Sequence, residues 1–257
     1  MNRRQRRRAL LLLLALLLGG PLVGVASGDV QLRSDWRTAD RSPTGLAPDP
    51  GLHPEAVIQA YAARAFNWRG LLAVHTWLAT KAAGADHYTV HQVVGWRRGN
   101  GRSVVRSYAD QPDRRWYGAE PELLLDLRGA RAAALIPRLE AAVAAYPHAT
   151  EYTLWPGPNS NTFVAYVGRA VPELGLELPV TAIGKDYLEG GALAGPLPSG
   201  SGYQLSLFGL AGVGLGLREG LEVNLLGLAF GLDLDPPALK LPGIGRLGFA
   251  ARPERGG

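Results

Sequence analysis

The residues best suited to carry chemistry lie in "WPGPNSNTF", Trp155 to Phe163. Ser160 stands between two asparagines, directly before the helix-like stretch "TFVAYVGRA". Asn and Ser are preferred helix N-cap residues because their side-chain oxygens accept unpaired backbone N–H groups. The same N–H groups can stabilise a negatively charged oxygen on a substrate, as in an oxyanion hole. The sequence therefore leaves two interpretations open, a helix cap and a nucleophile at Ser160.

A serine nucleophile needs a neighbouring base, because its hydroxyl is a weak nucleophile by itself. His75 in "LLAVHTWLA" is the candidate base, and a hydrogen-bonded core histidine is the alternative. With a hairpin turn centred on Gly84, position 77 pairs with 91, so that His91 lies diagonally across from His75 on one face. His91, or His87 nearer the turn, would then orient the imidazole. Ser160, His75 and His91 are the predicted catalytic residues.

Four further residues are predicted to bind substrate or to complete the site: Asn159, Asn161, Trp155 and Lys185. The amide of Asn161 would donate to the oxyanion, whereas Lys185 in "AIGKDY" has a loop ion pair as its alternative. His87 and His91 have the H-x₃-H spacing of zinc ligands on a helix, but they fall on a predicted strand. We therefore expect no metal site and no cofactor.

The net charge of the chain comes from its N-terminus. The 257 residues include 27 basic and 22 acidic residues, a formal net charge of +5. Five arginines lie within the first eight residues, so the rest of the chain carries 22 basic against 22 acidic residues. This composition predicts no basic patch with interleaved aromatic residues, and nucleic acid is not an expected partner. The absence of cysteine from the sequence excludes disulfides and thiolate chemistry.

The N-terminal segment has the pattern of an export signal. Its arginines precede the apolar run Ala9–Leu18, and small residues follow near Ala26. Extended to Ala26, the apolar stretch approaches the ~20 residues that span a bilayer, so an uncleaved anchor is the alternative. Positive charge before the run keeps the N-terminus cytoplasmic and sends the rest across the membrane. Residues 1–28 thus predict a signal peptide or membrane anchor, and a body in the bacterial envelope, periplasmic or anchored to the inner membrane.

The body of the chain predicts an α+β fold. Residues 29–52 read as a Pro/Gly-rich linker, 53–199 as the core, 200–250 as an extension and 251–257 as a tail. The core is predicted to begin with a helix in "HPEAVIQAYAARAF". Three strands follow near 71–81, 87–96 and 102–108 and form an antiparallel meander. Two more helices are predicted, one over roughly 130–146 with Pro137 inside it and one in "TFVAYVGRA".

The extension alternates apolar and small or polar residues with a period of two. In "YQLSLFGLAGVGLGL" the apolar positions are odd-numbered, and "LEVNLLGLAFGLDL" follows after the turn "REG". This pattern predicts a Gly-rich β-hairpin whose apolar face is buried in folded core. The alternative is an exposed apolar face that binds a partner or a membrane surface.

Several segments resemble a family of bacterial envelope proteins classed as a domain of unknown function. They are "AVHTWLATK", "VVGW", "LIPRL", "YTLWPGPNSNTF" and "AIGKDY". More distantly, the order of parts resembles the permuted papain-like superfamily, which includes lecithin–retinol acyltransferase-like and PPPDE-type proteins. That resemblance implies a permuted papain-like core, with His75 as the strand histidine, His91 or His87 as its polar partner, and Ser160 in the place of the cysteine. Serine in place of the thiol is a departure, because that chemistry relies on a thiolate of low pKa.

Two functional hypotheses follow. In the first, the protein is a serine-dependent hydrolase or acyltransferase acting on an ester, amide or thioester. This hypothesis requires the His75 imidazole within hydrogen-bond reach of the Ser160 hydroxyl. In the second, the protein is a non-catalytic envelope binding or scaffold protein, which requires a sizeable exposed apolar patch on the extension.

Overall fold

The computed structural model describes residues 2–26, 32, 35–99, 101–249 and 255–256. These residues form helices and largely antiparallel sheets, which confirms the α+β class. The end of the predicted signal segment at 27–28, residues 29–31 and 33–34 of the predicted linker, and residues 251–254 and 257 of the predicted tail lie outside the described residues.

The N-terminal helix α1 spans Arg3–Ala26 and contacts the C-terminal part of the chain. A Cβ added at Gly243 would lie 2.7 Å from the Leu71 carbonyl oxygen and 3.0 Å from Cδ of Pro21, so the turn at Gly243 packs closely against both. Within the described residues, no helix combines the length and the apolar character needed to cross a bilayer.

The first sheet forms the centre of the core. Its first five strands are β1 (Val57–Arg64), β2 (Val74–Lys81), β3 (Thr89–Val93), β4 (Val105–Ala109) and β5 (Glu122–Arg128). With the short C-terminal strand, numbered β13 (Arg255–Gly256), their order is β13-β5-β1-β2-β3-β4. Strands β2, β3 and β4 are antiparallel neighbours, which confirms the predicted meander.

The prediction of a helix in "HPEAVIQAYAARAF" is wrong, because this segment contains strand β1. Paired with β2 on one side and β5 on the other, β1 is buried on both of its faces from Val57 to Ala63. A strand buried on both faces is a continuous apolar run, which periodicity cannot distinguish from a buried helix.

Helices cover one face of the first sheet, and irregular segments cover the other. Helices α2 (Gly129–Ala144), which runs through Pro137, and α3 (Ser160–Ala170) pack on the face that carries Leu78. The opposite face carries Trp77 and is covered by residues that include Ala47, Trp116 and Ala119. Because neighbouring strand residues point to opposite faces, odd and even positions of β2 meet different surroundings.

The C-terminal extension is larger than the predicted hairpin. It is a second antiparallel sheet of seven strands, each paired with its neighbours in the chain. Its strands are β6 (Ala194–Pro196), β7 (Gly202–Leu207), β8 (Ala211–Gly216), β9 (Gly220–Leu225), β10 (Leu228–Leu234), β11 (Pro237–Leu241) and β12 (Gly245–Gly248).

This second sheet has its polar face inward and its apolar face outward. The inner face carries buried Gln204, Ser206, Glu222, Asn224, Asp233 and Lys240. What we call the outer face is formed by Tyr203, Leu205, Leu207, Val213, Leu215, Leu221, Val223, Leu225, Leu232, Leu234, Leu239 and Leu247, whose exposed fractions lie between 38% and 78%. The prediction that the apolar positions are buried in the core is therefore wrong, and the alternative of an exposed apolar face is what the structure contains.

Candidate functional site

The loop "WPGPN" and the start of α3 are held together by a capping box. The Asn159 side chain accepts hydrogen bonds from the backbone N–H groups of Asn161, at 2.9 Å, and Thr162, at 3.2 Å. In return, the Thr162 hydroxyl accepts from the Asn159 backbone N–H at 3.1 Å. The Asn159 amide also donates to the carbonyls of Leu154 and Ile183. Asn159 therefore serves as the helix cap that the sequence offered as one alternative.

Asn161 links α3 to strand β2 and to the "AIGKDY" segment. Its amide donates to the carbonyls of Val74, at 3.0 Å, and Ile183, at 2.8 Å. Its side-chain oxygen accepts from the Thr76 hydroxyl at 2.9 Å. Three of the motifs that prompted the family resemblance thus meet at this buried amide. Their joint presence is accounted for by packing of the core, without a substrate.

The structure does not bring Ser160 and His75 together. Ser160 begins α3 on the helix-covered face of the sheet, where its carbonyl oxygen lies 3.5 Å from the Thr76 hydroxyl. His75 is the neighbour of Thr76 on β2, so its side chain points to the opposite face. There its ring stacks on Trp116 with centroids 3.7 Å apart, and its Nε2 atom lies 2.9 Å from Oε1 of Gln92. The sheet itself separates the predicted nucleophile from its predicted base.

His91 does not orient His75 either, because the strand register differs from the predicted one by a single residue. His91 pairs with Leu78 instead of position 77, and a shift of one residue moves a side chain to the other face. The two ring nitrogens of His91 lie 3.1 Å from the Thr80 hydroxyl and 2.8 Å from the Ser107 hydroxyl. The alternative orienting residue, His87, is exposed next to Asp86.

Both buried histidines are neutral near pH 7. Burial lowers the pKa of His75 to about 4, although its hydrogen bond with Gln92 opposes this shift. Burial lowers the pKa of His91 to about 4 as well. Together with their hydrogen bonds, these shifts fit the alternative of satisfied core histidines. Within the described ranges, no group of three or more His, Cys, Asp or Glu side chains is placed to hold a metal ion.

Trp155 and Lys185, predicted to contact substrate, both contact the second sheet instead. The indole N–H of Trp155 donates to the Leu226 carbonyl in the turn between β9 and β10, at 3.0 Å, while its ring is half exposed. Lys185 is fully buried, and its ammonium contacts Asp186 at 3.1 Å and Glu222 of strand β9. The loop ion pair that was the alternative for Lys185 is thus present, and it extends into the sheet.

A buried network of charges joins the core to the inner face of the second sheet. Glu222 lies between Lys185 and Lys240, and its contact with Lys240 measures 3.3 Å. Lys240 also contacts Glu177 at 2.6 Å and Asp233 at 3.0 Å. Burial works against the charge of Lys185, but the neighbouring carboxylates of Asp186 and Glu222 outweigh it and raise its pKa. The network is one of the attachments between the core and the second sheet.

Sequence reasoning missed this network because it assigned the apolar positions of the extension to the core. A usable signal was present. Glu222, Asn224, Asp233 and Lys240 occupy alternate positions in strands whose other positions are apolar. Four strongly polar residues on one face require either water or charged partners. The partners, Glu177, Lys185 and Asp186, lie more than 30 positions away from Glu222 in the sequence, which hid the pairing.

Alanine is expected to lower stability at Asn159 and to leave it almost unchanged at Ser160. Asn159→Ala removes the helix cap and the buried amide bonds, and should lower the free energy of unfolding by about 1–2 kcal/mol. Ser160→Ala should change it by less than about 0.5 kcal/mol, because the Ser160 contact to Thr76 uses the backbone carbonyl. Urea unfolding of both variants measures the difference.

A fluorophosphonate should label neither the wild type nor Ser160→Ala. Labelling that depends on Ser160 would contradict the assignment of this segment as a helix cap without a nucleophile.

Comparison with known proteins identifies the family and nothing finer. No curated protein and no solved structure matches the chain. The likeness to the permuted papain-like superfamily therefore gains no support and stays a prediction. The sequence does match the family described as "Protein of unknown function (DUF3750)" over residues 55–187, slightly more than half of the chain. That range includes the loop "WPGPN", α3 and "AIGKDY", and it ends before the second sheet begins. The chain belongs to the DUF3750 family.

Proposed function

We propose that the protein is a non-catalytic binding protein of the bacterial cell envelope, and that it docks on a lipid bilayer through the outer face of its second sheet. The observation that carries this proposal is the inverted sheet, with charges inward and leucines outward. The hydrolase hypothesis lacks its central requirement, because Ser160 and His75 lie on opposite sides of the first sheet.

The outer face is continuous across the strands. Backbone register aligns a single apolar row of Tyr203, Leu215, Leu221, Leu232, Leu239 and Leu247. Seven strands spaced ~4.8 Å apart make a face roughly 30 Å wide, and its longest strands, β7 to β10, are about 20 Å long. The area of this face is at or above the upper end of the few hundred Å² of contiguous apolar surface that soluble monomers expose.

The chemistry of the outer face favours hydrocarbon over a protein partner. Protein interfaces carry about one hydrogen bond per 100–200 Å² and include charged or polar residues at their rims. Among the side chains that define the outer face, only Tyr203 has a polar atom. Lipid acyl chains form no hydrogen bonds with the surface that they cover, so a surface almost without polar side chains matches them.

The surroundings of the outer face support the same partner. Trp155, Phe208 and Phe249 are exposed near its edges, and aromatic side chains are enriched where proteins meet the membrane–water interface. The N-terminal export pattern adds a second apolar element, since Gly20 and Pro21 of α1 pack against the β11–β12 turn. In the sequence, the apolar run Ala9–Leu18 therefore comes just before the part of α1 that contacts the second sheet.

A single-cysteine label tests the docking directly, because the natural chain has no cysteine. The full chain with Leu205→Cys carries an environment-sensitive fluorophore (NBD) on the outer face, and Glu140→Cys carries it on the exposed side of α2. On addition of phosphatidylcholine vesicles, we expect a blue shift and quenching by doxyl-labelled lipid at position 205, with no change at position 140.

Two results would contradict the proposal. One is an unchanged spectrum at position 205 in the presence of vesicles. The other is an apolar environment at position 205 before lipid is added, together with disulfide-linked dimers of Leu205→Cys under oxidising conditions. The second result would assign the outer face to another copy of the chain.

A further inference from the structure

Two exposed tryptophans lie beside arginines in two short segments of the chain, in which Arg37 is exposed and Arg41 and Arg69 are half-buried. We call Trp36, Arg37, Arg41, Trp68 and Arg69 the arginine–tryptophan cluster. The two tryptophans are 55% and 59% exposed. The Arg37 guanidinium lies 4.9 Å from the Trp36 ring, and that of Arg69 lies 6.0 Å from the Trp68 ring. Cation–π contacts of this kind hold the charges beside aromatic surface.

The arginines of the cluster lie near two carboxylates but form no ion pair with them: Asp35 accepts from the Arg37 backbone N–H, and Asp40 pairs with Arg115. In the part of the chain that the structure describes, no carboxylate forms an ion pair with Arg37, Arg41 or Arg69. By contrast, Arg114 and Arg115 nearby are paired with Asp110 and Glu120. The three guanidinium groups thus have no ion-pair partner among the described residues and lie beside aromatic rings.

A series of side-chain contacts leads from the cluster towards the edge of the second sheet. Arg41 donates to the Trp36 carbonyl and lies 4.3 Å from the Tyr117 ring, which in turn contacts Phe66 at 5.0 Å. Trp68 and Arg69 lie in the short 3₁₀ helix Asn67–Leu71, just after Phe66. The end of that helix packs on Gly243, the turn between β11 and β12.

A hydrogen bond from Arg64 reinforces this junction. The Arg64 guanidinium, on the last residue of β1, donates to the Gly243 carbonyl at 2.7 Å. Gly243 itself has a φ of 72°, and its neighbours leave no room for a Cβ. The position of the sheet edge relative to Trp68 and Arg69 is therefore fixed by direct contacts on both sides.

We propose that the arginine–tryptophan cluster binds the phosphate headgroups of anionic phospholipids in the bilayer on which the outer face docks. This inference rests on the proposed function. Tryptophan prefers the headgroup region because it combines an apolar ring with an N–H donor. Arginine matches phosphate with a planar fork of donors. The outer face supplies insertion into hydrocarbon, and the cluster supplies preference for negatively charged lipid.

The test compares vesicles of phosphatidylcholine with vesicles that also contain phosphatidylglycerol, using the full chain labelled at Leu205→Cys. Each arginine near an anionic surface contributes about 1 kcal/mol, or roughly fivefold in binding. The wild type should therefore prefer the phosphatidylglycerol vesicles by about a hundredfold at low salt, and high salt should reduce this preference. The triple variant Arg37→Gln, Arg41→Gln, Arg69→Gln should prefer these vesicles about a hundredfold less than the wild type does, because the N-terminal arginines contribute equally to both chains, and it should still dock on phosphatidylcholine. The matched control Arg138→Gln, on α2, should retain the wild-type preference.

Other outcomes overturn the inference in distinguishable ways. Equal docking of the wild type on both vesicles would reject the headgroup site and leave the docking proposal intact. Absence of docking on either vesicle would reject the proposed function, and this inference with it. A preference as large in the triple variant as in the wild type would assign it to charges outside the cluster and reject the headgroup site.

Discussion

Glutamate at Leu215 and Leu232 is expected to lower the docking of the full chain on phosphatidylcholine vesicles by at least about a hundredfold. The two leucines lie in the same row of the outer face, on β8 and β10, with Leu221 between them. Withdrawing each leucine from hydrocarbon costs about 1.5–3 kcal/mol, and two of them correspond to two or more powers of ten in binding. Burying a carboxylate adds to this cost. The fluorophore at Leu205→Cys reports the docked fraction.

The folded state should be unaffected by these two substitutions. Leu215 and Leu232 are already exposed to water in the chain, so their replacement should change the free energy of unfolding by less than about 0.5 kcal/mol each. Leu52→Glu is the matched control, because Leu52 is an exposed leucine outside the second sheet. Docking that survives the double substitution would refute the role of the outer face. A large loss of stability would show instead that these leucines are covered by protein.

Leucine at Glu222 is expected to lower the free energy of unfolding by about 3–5 kcal/mol, the range for breaking a buried ion pair. Glu222 is the carboxylate shared by Lys185 and Lys240, and all three side chains are buried. Its removal leaves two ammonium groups with less negative charge around them. Urea unfolding of the full chain measures the change, with Glu140→Leu on the surface of α2 as the control.

A double-mutant cycle separates the ion pair from other effects of the substitution. Lys185→Met alone should also be strongly destabilising, because it leaves Asp186 and Glu222 without their nearest cation. The double variant Lys185→Met, Glu222→Leu should cost less than the sum of the two single changes. Strict additivity would mean that these residues do not act as a pair, and the description of the network as an attachment of the sheet would be wrong.

Local pattern was sufficient for much of the core. The meander of β2, β3 and β4 and the helices α2 and α3 follow from short apolar periods bounded by turn residues. Strand β1 did not follow, because a segment buried on both faces has no period that separates strand from helix. The candidate site failed because Ser160 lies on the helix-covered face of the first sheet and His75 points to the other face. A register error of one residue between β2 and β3 places His91 on the wrong face, and no local signal sets that register.

The arginine–tryptophan cluster shows a different limit of composition. The body of the chain is formally neutral, which predicts no basic patch. Folding nevertheless links the segment of Arg41 to the segment that precedes Arg69 through Tyr117 and Phe66, while nearby arginines pair with carboxylates. Net charge is a sum over the whole chain, whereas the charge of one surface depends on which of its charged side chains have no ion-pair partner.

The sequence by itself determined the family, the α+β class and the period-two strands of the extension. It also determined that those strands have one polar and one apolar face. Only the tertiary structure decided which of these faces points inward. The inner side is polar because Lys185, Asp186 and Glu177, far away in the chain, supply charges that pair with Glu222 and Lys240. Alternation along a strand distinguishes its two sides, but the partner that packs against one of them decides which side is buried.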